Sequence, residues 1–188
     1  MYGHLMPIPQ GESLAERLRV GIVFDGGQML QHLSVRENVA LPLCYHRDLD
    51  AEEAEPKVAA MLEMTDLQSF ANAPAGSVGR NIQKRIGLAR ALMLEPDLLM
   101  VDNPLGDLDR RQSQWWLKCL ADLCSGSTPI SAKPITLVVS AGDLRPWRER
   151  ASHFAILRDR RFIPVGGAAG LARHSEPLVH ELLAEELI

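Results

Sequence analysis

The chain has 188 residues, 46% hydrophobic and 23% charged, a balance that supports one globular domain with its own core. A formal net charge of −4 argues against a basic nucleic-acid face, and no run of ~18 apolar residues reads as a membrane span. The opening MYGHLMPIPQGES lacks the basic-then-apolar order of a secretory signal. Cys44, Cys119 and Cys124, without metal-ligand spacing, read as reduced, partly buried thiols.

In chain order, residues 1–13 are rich in Pro and Gly and predict an irregular arm, and Glu12 to Arg19 a short helix. Val20 to Phe24 predict a strand that ends at Asp25, before a GGQ loop. Ser34 with Glu37 spells a capping box for a helix that Pro42 is expected to limit. Asp50 to Met64 reads as an acidic-faced helix, its regular pattern confined by Pro56 to the later part, and Asn72 to Gly79 as a loop.

The most ordered stretch follows. From Arg80 to Leu94 an apolar stripe of Ile82, Ile86, Leu88, Ala89 and Leu92 predicts a helix, with Lys84, Arg85 and Arg90 on its polar side. Glu95-Pro96-Asp97 stops it, because proline cannot continue a helix and biases the residue before it toward extended geometry. Leu98 to Val101 then has the unbroken apolar character of a strand buried in a parallel sheet, with Asp102 at its carboxyl end, where such sheets hold ligands. Arg110 to Leu123 predicts a helix, SGSTPISAKP a linker and Ile135 to Val139 a second buried strand. Phe154–Leu157 and Phe162–Val165 read as a hairpin, and Glu176 to Leu187 as a closing amphipathic helix. The layout is α/β, a partial lobe with a helical insertion.

The run QKRIGLARALMLEPDLLMVDNPLGDLD resembles the core of an ABC-transporter ATPase, from the signature helix through the Walker B strand to the D-loop. GIVFDGGQMLQHLSVRENVALPL resembles the Q-loop and the start of the helical subdomain. ITLVVSAGDLRPWRERASHFAILRDRRFIPVG resembles the switch strand and the hairpin after it. The wording of the Q-loop and signature regions is most similar to ATPases of Mla/Mce-type lipid transporters. The resemblance implies a partial P-loop-NTPase (RecA-like/ABC) lobe: a single truncated domain over 1–188, with a helical subdomain at 41–94 and the remaining lobe at 19–40 and 95–188. It implies ATP and Mg2+ as cofactors, a membrane subunit and a second ATP-binding domain as partners, no nucleic acid, and a cytoplasmic location at the inner face of the membrane, touched only through the partner. The segment MLQHLSVRENVALPL corresponds to the family surface that receives the membrane subunit.

Residue by residue, the resemblance places the signature loop on Val78, Gly79, Arg80, Asn81 and Ile82. There a helix N-terminus, with Arg80 beside it, would face a phosphate of a partner's nucleotide. Asp25 stands at the Q-loop glutamine position, Asp102 at the Walker B metal-shell position, and Asp109 at the D-loop aspartate, where a helix-capping aspartate would look the same. Asn103 replaces the glutamate that polarises water, and Gly142 replaces the switch histidine, so no catalytic residue is intact. The sequence contains no G-x-x-x-x-G-K-[ST]; its lysines are Lys57, Lys84, Lys118 and Lys133, and none follows a glycine. The chain reads as starting after the phosphate-binding strand and loop. The expectation is an ATP-binding-domain protein of a lipid or solvent-resistance transporter that does not hydrolyse ATP as this chain. The alternatives are a structural or regulatory pseudo-ATPase module that binds an active ABC partner, and a truncated gene product. His4, His32, His46, His153, His174 and His180 show no ligand spacing. Trp115, Trp116 and Trp147 are expected as core or interface anchors.

Overall fold

The computed structural model describes residues 14–130 and 132–173, together with Val179, Leu182 and Leu183. The arm expected over residues 1–13 and most of the closing helix expected from Glu176 lie outside the described residues. The chain divides into one unit through Ser140 and another from Ala141.

The first unit is built on a parallel three-stranded sheet in the order β1-β2-β3: β1 Val20–Val23, β2 Leu98–Asp102 and β3 Thr136–Ser140. The register sets Ile22 beside Met100 and Met100 beside Val138, and Asp102 beside Ser140. One face carries Val23, Leu99 and Val101, all buried, beneath the helices; the other presents Ile22, Met100 and Val138, all exposed. The period-2 alternation of strands produces this division directly. A short helix α1 (Leu14–Arg17) precedes β1.

Between β1 and β2 stand three longer helices: α2 (Val35–Arg47), α3 (Ala51–Met64) and α4 (Arg80–Leu92). The Ser34/Glu37 capping box is present, with the Ser34 hydroxyl accepting from the Glu37 N–H and the Glu37 carboxylate accepting from the Ser34 N–H. A second box, Asp50 with Glu53, opens α3. Pro42 does not limit α2, which continues to Arg47, and Pro56 sits inside α3. Buried Val35, Val39 and Leu43 hold α2 by tertiary packing, so one missing N–H does not end it. Asn38, fully buried, fastens the preceding loop: its Oδ1 accepts from the Leu30 N–H at 2.8 Å, and its Nδ2 donates to the carbonyls of Leu30 and Ser34 at 3.0 and 2.9 Å.

Helix α4 ends two residues sooner than the sequence suggests. Glu95, before Pro96, takes φ 55° rather than an extended conformation, and its N–H bonds Leu92 O at 2.9 Å. After β2, α5 (Arg110–Ser125) is opened by a third capping box, Asp109 with Gln112, and closed by Gly126 at φ 69°. The second unit contains the antiparallel hairpin of β4 (Phe154–Arg158) and β5 (Arg161–Gly166), followed by α6 (Ala168–Arg173). Trp147 is buried within it.

Candidate functional site

Helix α4 organises the site by turning polar side chains inward. Lys84, which the stripe pattern places on a polar surface, is 1% exposed. Its ammonium donates to Asn103 O at 3.0 Å and Gly106 O at 2.8 Å, and meets Asp25 Oδ1 at 2.7 Å as an ion pair. One lysine thereby ties the end of β1, helix α4 and the turn after β2. Arg80, one turn earlier, donates to Asp25 Oδ2 at 2.8 Å and lies 3.3 Å from Asp107 Oδ2. Burial pulls the Asp25 carboxyl upward, but the hydrogen bond and charge of Lys84 and the charge of Arg80 outweigh it and hold the pKa below its ordinary value.

The GGQ loop is seated on the same face. A Cβ on Gly87 would come within 2.9 Å of Gly27 Cα, and one on Gly27, at φ 70°, within 2.1 Å of Gln83 O. Only two glycines permit this approach of loop to helix. Arg90 then donates to the carbonyls of Gly27 and Gln28 at 3.1 and 2.7 Å.

At the carboxyl end of the sheet, Asp102 accepts from the Ser140 hydroxyl through Oδ1. The Asn103 N–H bonds both the Ser140 carbonyl and Oγ at 3.1 Å, with Asn103 at φ 45°, a conformation asparagine tolerates better than most side chains. Its carboxamide lies over Gly106, where a Cβ would meet Nδ2 at 2.2 Å. Asp109 caps α5 by accepting from Gln112 N at 2.8 Å.

The signature-like residues are split in two directions. Gly79 is the α4 N-cap, without a side-chain cap and with open space at its Cβ position. Val78 contributes its carbonyl to Gln83 Nε2 at 3.0 Å. Asn81 faces inward and accepts from buried Trp116 Nε1 at 3.2 Å. In the second unit, Gly142 is exposed, with open space around its Cβ position, next to Asp143, which Arg145 chelates through Nε and an Nη at 2.9 and 2.8 Å. His32 and His153 are exposed and His46 is half-buried.

The donor set does not by itself fit a magnesium nucleotide. Every lysine is paired with a carboxylate: Lys57 with Glu95, Lys84 with Asp25, Lys118 with Asp122 and Lys133 with Asp97. Asp25 is occupied by two cations, and no cluster of three or more His, Cys, Asp or Glu occurs among the described residues. Asp102, at the sheet terminus, is a single carboxylate that accepts from the Ser140 hydroxyl. Sequence reasoning missed Lys84 because its acceptors are backbone carbonyls, which carry no residue signature. It also missed Arg90 and Trp116 as fasteners of the loop and of Asn81.

The parallel sheet, with an aspartate ending its central strand, is α/β, and its likeness to the solved structures below makes it the P-loop-NTPase class of that fold. The family profile described as ABC transporter matches residues 6–106, just over half the sequence, and the chain belongs to that family. It is 30% identical over 167 residues to the intermembrane phospholipid transport system ATP-binding protein MlaF of Escherichia coli strain K12, covering 89% of this chain and 60% of that protein. The ATP-binding cassette MJ0796, solved as a dimer in a post-hydrolysis state bound to ADP and Pi, superposes with a TM-score of 0.69 at 26% identity, covering 85% of this chain and 69% of that one. CbiO1 of Clostridium perfringens shares the fold, with a TM-score of 0.67 at 21% identity over 86% of this chain and 62% of that one. The chain thus spans about 60% of the length of the curated MlaF proteins. No described helix is long and apolar enough to cross a membrane.

Proposed function

We propose that this chain is ATP-binding-domain material of a lipid-type ABC transporter, peripheral at the cytoplasmic face of the membrane, and that these 188 residues do not hydrolyse ATP by themselves. The observation that carries the second clause is Asn103. It occupies the residue after Asp102, where the family's general base belongs, and its carboxamide lies over Gly106. An amide has no lone pair basic enough to take a proton at neutral pH, and loss of such help typically removes ~10²–10⁴-fold of rate. The burial of Lys84 against Asp25 supports the same reading, since that ammonium is held inside the site by a carboxylate and two carbonyls. Gly142 supports it too, having no imidazole to offer.

The lipid assignment rests on likeness to MlaF, a phospholipid-transport ATP-binding protein by its name. The partners that follow are a membrane subunit and a second ATP-binding domain, with the start of α4 at Val78, Gly79 and Arg80, and Asp109, on the side of the partner's nucleotide, Asp25 near it, and Asp102 as the remnant metal position. Asn81, held inward by Trp116, supports that loop from behind. A second reading, a regulatory pseudo-ATPase half docked on an active partner, is favoured by the open approach to Gly79 at the start of α4.

The test is titration of the purified chain with MgATP, by calorimetry and by unfolding temperature. A ligand at ~100-fold its dissociation constant stabilises by ~2.7 kcal/mol, a readily measured effect. No shift and no phosphate release are expected. Saturable binding accompanied by hydrolysis would sink the reading. A shift that emerges only on mixing with an active ABC ATPase selects the docked pseudo-ATPase.

A further inference from the structure

The hairpin of β4 and β5 departs from the usual hydrophobic-in, polar-out arrangement of antiparallel strands by being apolar on both faces. Its inner face buries Phe154, Ile156 and Val165. Its outer face should be polar, yet the cross-strand pairs there are Ala155 with Pro164 and Leu157 with Phe162, all four exposed. Leu157 is 78% and Phe162 74% exposed, among the most exposed large apolar side chains described. Beyond them the tip reads Arg158-Asp159-Arg160-Arg161, a net charge of +2 in a chain whose net charge is −4.

Two features of the tip oppose its own folding. Arg158 and Arg161 are directly opposed across the ladder, where like charges repel, although Asp159 lies 3.6 Å from Arg158. The two-residue loop has positive φ at both positions, 50° at Asp159 and 60° at Arg160, which is the type I′ geometry that selects glycine at its second position. Arginine there is held against its backbone preference, and such strain persists where something else requires the side chain.

We propose that this hairpin tip is a contact surface for an anionic lipid bilayer, with Leu157 and Phe162 entering the headgroup boundary and the three arginines meeting lipid phosphates. The composition fits an interface of that kind: apolar side chains beside long cationic ones that bury their stems and keep their heads at the phosphates. Lipid binding adds up residue by residue, so a few apolar and cationic side chains at one tip contribute to it directly. The contact needs neither nucleotide nor a membrane subunit, so it stands or falls apart from the proposed function.

The experiment is flotation of the full chain with phosphatidylcholine vesicles, with and without phosphatidylglycerol, at low and high salt. The expected result is partitioning only onto the phosphatidylglycerol vesicles, weakened by salt. Arg160→Gly should weaken it about fivefold. That variant relaxes the turn, so misfolding cannot account for its loss. Phe162→Ser should weaken it by about tenfold or more. Failure to float with phosphatidylglycerol, or flotation indifferent to both variants, would overturn the proposal. So would a response to Arg160→Gly alone, since indifference to Phe162→Ser would mean that no apolar side chain of the tip enters the headgroup boundary.

Discussion

Lys84 shows how one side chain can hold a site. It is buried, and its three contacts belong to a strand end, a turn and the Asp25 carboxylate. Replacing it by methionine keeps the stem and deletes the charge, leaving two carbonyls without a donor. We expect a loss of about 2–4 kcal/mol, below a fully buried pair because Asp25 is partly exposed. Urea unfolding measures it, and a change under ~0.5 kcal/mol would remove Lys84 from its central place. Asp25→Asn adds a pH signature. A carboxyl whose folded pKa is depressed gives stability that is fully present above its ordinary value and lost as pH falls through the lowered one. The wild-type advantage over Asp25→Asn should therefore be constant near neutrality and shrink below about pH 4.

At the scale of elements, α4 and α5 are joined by two tryptophans. Trp116 donates to Asn81, and Trp115 lies under Arg85, whose Cζ is 3.7 Å from the ring centroid. Arg85 also donates to Thr65 O at 3.4 Å and Asp66 Oδ2 at 3.2 Å, but its buried Nε has no partner, so the ring face is part of what keeps the guanidinium in place. Trp116→Phe should cost about 1–2 kcal/mol by stranding Asn81 Oδ1, and Trp115→Ala about 1–2 kcal/mol through loss of the cation–π contact. Thermal unfolding of the two variants and their double tests whether the contacts act as one clasp: additive losses would mean that they do not. The sequence made the elements legible because strand and helix periods, capping boxes and the Glu95-Pro96 stop are local signals. Lys84, Arg85 and Asn81 were not legible as inward-facing residues, because their partners belong to other elements. Pro42 misled for the same reason: buried Val39 and Leu43, not local propensity, carry α2 through it.

The whole molecule is marked by an uncovered sheet face. Ile22, Met100 and Val138 form one row across three parallel strands, 49%, 41% and 48% exposed, with Val20 and Phe24 exposed alongside. Parallel sheets are ordinarily covered on both faces, and a contiguous apolar row of this kind attracts other apolar surface. Asp102 and Ser140 form the next pair along β2 and β3 on that face, so the open face leads to the candidate site at the carboxyl end of the sheet. The chain should consequently bind a hydrophobic dye such as ANS in its native state and associate as concentration rises. Ile22→Thr with Val138→Thr should suppress both, while moving stability by no more than about 0.5 kcal/mol per site, because these side chains are already half in water and threonine suits a strand. Dye fluorescence and sedimentation velocity across a concentration series decide it. A wild-type chain that stays monomeric and dark to the dye would mean that this face is covered in solution, and the double variant would then lose stability rather than gain solubility.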